Sequence, residues 1–493
     1  MERSIHSRQH DREALARALS ERYAALVPDH EELIQALLRP LPESLWSHPA
    51  RLDRSALMEL LRADGFAPEA MPWWEAGIRL PAGSRPGRHW GFLAGLFQVQ
   101  EEVSMLPVTL LDPQPGERVL DLCAAPGNKT AQIAVAMANR GTVMGNDPKK
   151  GRLAALRQTV KRLGLLNTVI TAQDGQSIGA RAGSFDRVLV DAPCTCEGTF
   201  RKVTQPNDPD TTFRERQAAT QVRLLERAVQ LTRPGGRIVY ATCTLAPEEN
   251  EAVVDTVLQR LGSELRLVPA RVPGFQGRAG VTRWQGRTFD QALTSAMRVW
   301  PQDNDTGGFF VAVLERDEGA PVARKRGGYF RPPEEPRDWL DPLTERFGIP
   351  APVFDGVIPV KRGNKHLHLV PSDHRFPEAP APVLMGLPAV RRRSMPVKPT
   401  TAAALLYGCH AVRNVVDVDT PQAQAYLDRE TIQAPSAGQL DRCTGPGFVV
   451  LRYRGYVLGL GHLIYDRETG VPRIVSLMPQ AWSKDAATLI EES

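Results

Sequence analysis

The chain has 493 residues, of which 42% are hydrophobic and 24% charged, and it carries six cysteines and a formal net charge of +5. That length suits two to four domains. With no C-x-x-C pair, no apolar N-terminal core and no apolar run long enough for a bilayer, it argues against a disulfide scaffold, a secreted chain or a membrane protein, leaving a cytoplasmic one. The isoelectric point of about 8.9 leans towards a polyanionic partner.

Residues 11–40 carry helical periodicity through Leu15, Leu19, Tyr23, Leu26, Leu33, Leu37 and Leu38. A second helix is expected from Ser55 to Arg62, stopping at Gly65. Trp73-Trp74 and a Gly/Pro/Arg-rich loop through Arg88 follow. From about Glu117 to Arg316 short apolar runs alternate with helical segments. Strands are expected at Val119–Leu122, Thr142–Met144, Val169-Ile170, Val188–Val190, Ile238–Tyr240 and Phe309–Leu314. Helices are expected at Thr130–Ala138, Lys150–Leu163, Phe213–Leu231 and Glu248–Leu261. This alternation predicts a doubly wound α/β sheet with helices on both faces. Ligands in such folds bind beyond the carboxyl ends of the strands, where Asp121, Asp147, Asp174, Asp191 and Cys243 fall. Residues 317–400, rich in proline and arginine, read as connections with short strands near Val353–Val360 and Leu367–Val370. Beyond about Thr401, Phe448–Gly461 reads as a hairpin of a small β-rich domain.

The turn Asp121-Leu122-Cys123-Ala124-Ala125-Pro126-Gly127-Asn128-Lys129 is neither a P-loop nor Gly-x-Gly-x-x-Gly. It is a tight turn whose backbone can approach a ligand closely. Asp147 suits a ribose diol, and Asp174 lies where an adenine edge would be. A nucleoside cofactor without a pyrophosphate fits, and S-adenosylmethionine is the obvious one. The bland alternative makes Asp147 and Asp174 caps of helices or turns.

Cys194, in Ala192-Pro193-Cys194, and Cys243, in Ala241-Thr242-Cys243-Thr244, each follow an apolar run beside that turn. Two thiols so placed suggest covalent chemistry. A thiolate adding to C6 of cytosine turns C5 into a nucleophile for a methyl group; a base then removes the C5 proton and the thiol leaves. Asp191 is placed to hydrogen-bond the N3/N4 edge of the base, and Lys129 to orient Asp191 or touch the base. Three other readings compete. One is a pair of inert buried thiols. Another is a zinc site from Cys194, Cys196, Cys243 and Cys123, for which no recognised spacing exists, so no metal is expected. The third is amino-group methylation, which usually wants an aromatic residue where Cys194 stands. Bare chemistry does not choose which thiol attacks.

These residues resemble the Sun-type (Nop/Sun, nucleolar-protein) family of RNA 5-methylcytosine methyltransferases. The likeness runs through Gln100-Glu101, Ser104–Pro107, Leu120–Thr130, Asp191–Gly198, Arg233–Gly236, Tyr240–Glu251 and Gly308–Ala312. Within that family the chain looks most like the bacterial small-subunit rRNA branch. The resemblance implies Cys243 as nucleophile and Cys194 as the group that resolves the adduct. Cys123, Ala124, Ala125, Pro126, Gly127, Asn128, Lys129, Asp147, Asp174 and Asp191 would line the S-adenosylmethionine site. It also implies a Rossmann-like methyltransferase core (116–318), a helical and small α/β domain (1–115) before it, and, after a connecting region (319–400), a PUA-like RNA-binding domain (401–493). The expected partner is RNA, 16S rRNA or the small ribosomal subunit, with tRNA as the alternative substrate and a non-catalytic assembly factor as the rival of another class. A monomer is expected. The chain departs from the family at Asn128 and Cys196, where glycine is usual, at Val103, and near Arg51-Leu52-Asp53, where an Asn-Thr is absent. Arg201-Lys202 would meet a phosphate beside a flipped base. The basic helix with Lys149, Lys150, Arg152, Arg157, Lys161 and Arg162 is a solvated face or an RNA contact. The hairpin residues Arg452, Tyr453, Arg454 and Tyr456 either touch RNA or are ordinary hairpin residues.

Overall fold

The computed structural model describes residues 2–203, 210–320, 329–330, 332–362, 366–391 and 398–483. Its centre is a ten-stranded sheet. Five strands are parallel: Arg118–Asp121, Thr142–Asn146, Thr168–Thr171, Phe185–Asp191 and Thr232–Thr242. The strand Arg118–Asp121 lies in the middle, with Thr142–Asn146 on one side and Phe185–Asp191 on the other, so the chain reverses direction of winding there. The cleft at such a reversal is where this class of sheet takes its ligands.

The parallel strands are continuous apolar runs because helices cover both faces. Val119, Leu120, Val143, Met144, Val188, Leu189, Ile238 and Val239 have no exposed surface at all. The covering helices are Asn128–Ala136, Leu153–Leu163, Thr211–Leu231 and Glu251–Leu261, each within a few residues of its expected bounds. Asp210 caps Thr211–Leu231 by accepting from Phe213 N. The helix ends at Leu231 as expected, and Pro234-Gly235-Gly236 lies inside the next strand, which begins at Thr232 beside a register shift.

The sheet is wider than its apolar runs announce. Antiparallel strands Phe309–Arg316, Met297–Val299, Arg278–Ala279 and Leu265–Val268 extend one side. Leu384–Met385 closes the other edge against Thr168–Thr171. Residues 319–400, expected to be mostly connections, supply that edge strand. They also contain an antiparallel sheet of Val357–Arg362, His366–Pro371, Leu387–Arg391 and Lys398–Pro399.

The N-terminal region folds as helices Glu2–Arg22, His30–Leu38 and Arg54–Ala63 with a four-stranded sheet of Glu69–Ala70, Gly77–Leu80, Glu43–Ser47 and Phe97–Val99. Near Arg51-Leu52-Asp53, Asp53 caps the helix Arg54–Ala63 through Ala56 N. The C-terminal region forms a five-stranded sheet around the hairpin Gly447–Tyr453 and Tyr456–Tyr465. Arg454 and Gly455 turn it with φ of 50° and 82°, the left-handed pair that a two-residue hairpin needs. Among the described residues no helix is long and apolar enough to cross a membrane.

Candidate active site

The strand ends bring the expected side chains together. Lys129, on the first turn of its helix, reaches Asp191 Oδ2 at 2.7 Å and Ser104 Oγ at 2.9 Å. Lys129 is nearly buried, with 10% side-chain exposure against 30% for Asp191. Burial pulls the Lys129 ammonium down, but Asp191 more than offsets it and the pKa ends raised. Asp191 is pushed up by burial, against the pull of Lys129.

Three thiols converge beside this pair. Cys194 Sγ lies 3.5 Å from Cys243 Sγ and 3.9 Å from Cys196 Sγ. Interaction with the Cys194 and Cys243 thiols lowers the Cys196 pKa, and burial opposes it; the Cys196 thiol also donates to Cys194 O at 3.4 Å. Cys194 is raised by donating to Cys196 and Cys243 and by burial. For Cys243, the hydrogen bond with Cys194 favours the thiolate; the one towards Cys196 and burial oppose it, and it is pushed up to about 12. Lys129 works against that rise.

Buried polar side chains hold the two cysteine loops in register. Glu249 Oε1 accepts from Thr195 Oγ1 at 2.5 Å, and Glu249 Oε2 from Thr195 N at 3.1 Å and Gln221 Nε2 at 2.8 Å. Asn250 accepts from Thr242 Oγ1 and donates to Thr244 O. Glu251, fully buried, pairs with Arg298, which also donates to Leu245 O. Glu197 accepts from Arg214 and from Tyr23 Oη at 2.5 Å. Gly198 is pinned between the loops: its N–H donates to Cys243 O, and a Cβ there would stand 2.1 Å from Gly308 O. The Pro-Glu-Glu-Asn-Glu run thus acts as a bracket for the thiols. Its dense carboxylates are its sequence signal; Arg298, Arg214 and Tyr23, remote in the chain, give none.

The turn between Asp121 and Lys129 makes the second half of the pocket. Gly127 takes φ +113°, and a Cβ there would sit 2.9 Å from the Leu156 backbone, so glycine is required. Asn128 is not in the left-handed region. It starts the helix and accepts from Gln98 Nε2 at 2.8 Å, so a second glycine is not needed. Asp121 Oδ2 accepts from Thr130 Oγ1 at 2.6 Å, while Oδ1 is buried without a partner. Burial pushes Asp121 up to about 7 and the Cys123 thiol well above its ordinary range. Asp147 is buried at the next strand end, with Oδ1 on Lys149 N and Oδ2 3.1 Å from Arg152. Arg152 also donates to Ala125 O, bridging the two sides of the mouth. Asp174 is exposed and caps a short turn through Gln176 N. These residues fit an adenosyl amino acid. The orphan Asp121 oxygen and the Asp147 carboxylate can accept from amino and hydroxyl donors. The pocket's lysine is already engaged by Asp191 and Ser104.

Other expected contacts are taken inside the protein. Arg201 is buried and donates to Arg39 O, Pro40 O, Thr306 O and Asp305, and Lys202 pairs with Glu101. Arg162 is buried and donates to Phe92 O and Phe97 O. Tyr453 packs edge-on against Trp90, Arg452 donates to Gly408 O and Ala411 O, and Arg454 pairs with Asp64. His366 and His368 stand with ring centroids 6.4 Å apart, and His374 bonds Gly141 O. A cavity of about 550 Å³ lies away from the thiols, lined by Lys161, Arg362, Arg391, Lys398, His366 and Trp482 among others.

Residues 108–315 match the family described as 16S rRNA methyltransferase RsmB/F, and residues 413–467 match the Methyltransferase RsmF PUA domain. The chain is 30% identical to a ribosomal RNA small subunit methyltransferase F of Aeromonas salmonicida over 496 residues, covering 94% of this chain and 98% of that protein. It is 35% identical to a tRNA (cytosine(49)-C(5))-methyltransferase of Pyrococcus abyssi, covering 60% of this chain and 95% of that one. A crystal structure of a methyltransferase homolog from Pyrococcus horikoshii overlays with a TM-score of 0.54 at 32% identity, covering 60% of this chain and 93% of that one.

Proposed function

The chain belongs to the RsmB/F family of 16S rRNA methyltransferases, and from that premise we propose that it methylates C5 of cytosine in 16S rRNA through a covalent adduct, working as a monomer in the cytoplasm. It is an S-adenosylmethionine-dependent RNA methyltransferase. The observation that carries the mechanism is the 3.5 Å approach of Cys194 to Cys243 beside the Lys129–Asp191 pair.

S-adenosylmethionine, when bound, supplies the methyl group; Asp121, Asp147 and the Cys123–Asn128 turn would hold it, with Asp174 at the margin. Cys243 attacks C6 of the flipped cytosine, forming the C–S bond. Lys129 favours its thiolate by charge and keeps Asp191 in place at 2.7 Å. Asp191, held by Lys129, is placed to hydrogen-bond the N3/N4 edge of the base and so to stabilise the charge the attack sends into the ring. After methylation, Cys194 removes the C5 proton, the C6–S bond breaks and Cys243 leaves with its electron pair. Sulfurs this close reach the same ring, so proximity alone leaves the two roles interchangeable; family resemblance assigns attack to Cys243.

Single substitutions test the assignment. Cys243→Ala abolishes both methylation and any RNA adduct. Cys194→Ala accumulates a cofactor-dependent protein–RNA adduct that survives denaturing electrophoresis. An adduct trapped in Cys243→Ala and lost in Cys194→Ala reverses the roles; full activity in both variants overturns the covalent mechanism. Bisulfite mapping of total RNA from a deletion strain checks the substrate, and a lost tRNA site in place of a 16S site overturns that choice.

A further inference from the structure

Cys196 is a sulfur for which the reaction above has no use. It stands two residues from Cys194, exposed, with its backbone in the left-handed region at φ 61°. That conformation is strained for any residue with a Cβ. This conformation brings its thiol back over the other two. The Sγ atoms of Cys194, Cys196 and Cys243 all lie within 4.8 Å of one another, with two of the separations 3.5 and 3.9 Å.

Those separations have a chemical meaning. A tetrahedral ion with metal–sulfur bonds of about 2.3 Å holds its sulfurs about 3.8 Å apart. Two of the three separations bracket that value, so an ion could be seated by small side-chain rotations. We propose that Cys194, Cys196 and Cys243 form a binding site for one thiophilic divalent cation, of the Zn²⁺ or Cd²⁺ class, and that its occupancy switches off methyl transfer by engaging the two reacting sulfurs.

Two further observations fit. A divalent ion on three thiolates carries one net negative charge, and the Lys129 ammonium already acts on Cys243 to balance it. The exposed side of Cys196 leaves a fourth position for water, the open geometry of a three-ligand site. Seating the ion forms three metal–sulfur bonds, releases the thiol protons to solvent and transfers no electrons, so it needs no oxidant. The spacing in sequence hides the site because the third ligand comes from a different strand end, 47 residues beyond Cys196. That the occupied site is inactive rests on the reaction proposed above; the binding itself does not.

Full-length protein, kept reduced with a non-thiol phosphine, is titrated with Cd²⁺ alone and followed by sulfur-to-cadmium absorption in the ultraviolet. The expected result is one equivalent bound with a three-thiolate band, displaced by Zn²⁺. Cys196→Gly, which suits the left-handed backbone, is expected to lose about a third of the band and at least tenfold in affinity. One equivalent of Cd²⁺ stops methylation by the native chain and not by Cys196→Gly. No stoichiometric band, or an undiminished one in Cys196→Gly, overturns the site; the latter places the ion on Cys123, Cys409 or Cys443. Binding with undiminished methylation upholds the site and overturns the reading of Cys194 and Cys243 as the reacting pair.

Discussion

Glu249 is the side chain on which the Cys194 loop hangs, and its carboxyl is itself perturbed. Burial pushes it up to about 7, against the hydrogen bonds from Thr195 and Gln221. A carboxyl raised in the folded state binds more protons there than in the unfolded chain, so stability falls as pH rises between about 4.5 and 7. The contribution is fully present below the unfolded pKa and is gone above the folded one. Glu249→Gln cannot titrate. Its denaturant midpoint, followed across that window, is expected to decline less steeply than that of the native protein. Parallel curves would assign the native slope to other groups. Asp147 makes a second test at this scale. It is buried with both oxygens engaged, but Arg152, half exposed, is free to swing away. Asp147→Ala is expected to weaken S-adenosylmethionine about 10- to 100-fold, the worth of hydrogen bonds to a charged acceptor, and to leave RNA affinity alone. Calorimetric titration with unchanged cofactor affinity would remove Asp147 from the site.

Two loops, Asp191–Gly198 and Cys243–Glu251, carry the chemistry, and buried charge fastens them. Arg298 and Glu251 are almost completely enclosed, with side-chain exposures of 2% and 0%. Removing one partner leaves the other charged and dry, a loss of about 3–5 kcal/mol. Arg298→Met is therefore expected to lower the unfolding midpoint strongly. Arg298→Met with Glu251→Gln recovers much of it, because no bare charge remains. If the double variant is no more stable than the single, the pair is not what fastens the loop. The sequence made the loops visible and their fastening invisible. Apolar runs such as Val188–Val190 declare a buried parallel strand because both faces are covered. Met297–Val299, one strand in from the margin, and Leu384–Met385, at the opposite edge, are too short to show any pattern. In the sheet of residues 357–399 the strands near Val353–Val360 and Leu367–Val370 are legible, while Leu387–Arg391 and Lys398–Pro399 are masked by prolines and arginines. Arg201 read as a phosphate ligand because nothing in a linear sequence shows that carbonyls at Arg39, Pro40 and Thr306 await it.

At the scale of the molecule, the parts are knitted together rather than strung in a row. Trp90 packs on Tyr453, Arg454 pairs with Asp64, and Trp482 donates to Gln158 of the helix Leu153–Leu163. One hydrophobic cluster runs from Leu45 and Trp90 through Leu340 and Leu387 to Val450 and Trp482. Removing residues from about 400 onward would therefore strip packing from the rest, and a loss of RNA binding would not isolate an RNA contact. The hairpin arginines are spent on holding the C-terminal region in place. We expect phosphate contacts instead at the cavity lined by Lys161, Arg362, Arg391 and Lys398, since it gathers cations from the helix Leu153–Leu163 and from residues 362–398, with no acidic residue among the described residues of its wall. Burial and the nearby Arg157 and Arg391 lower the Lys161 pKa, the mark of crowded positive charge that an anion would relieve. Lys161→Ala is expected to weaken RNA binding and to flatten the dependence of log affinity on log salt by about one unit, one phosphate contact's worth. Arg454→Ala is expected to leave that slope unchanged and to lower the unfolding midpoint instead. Filter-binding isotherms at several salt concentrations separate the two: a native slope in Lys161→Ala removes the cavity from the RNA path, and a flattened slope in Arg454→Ala returns the hairpin to it.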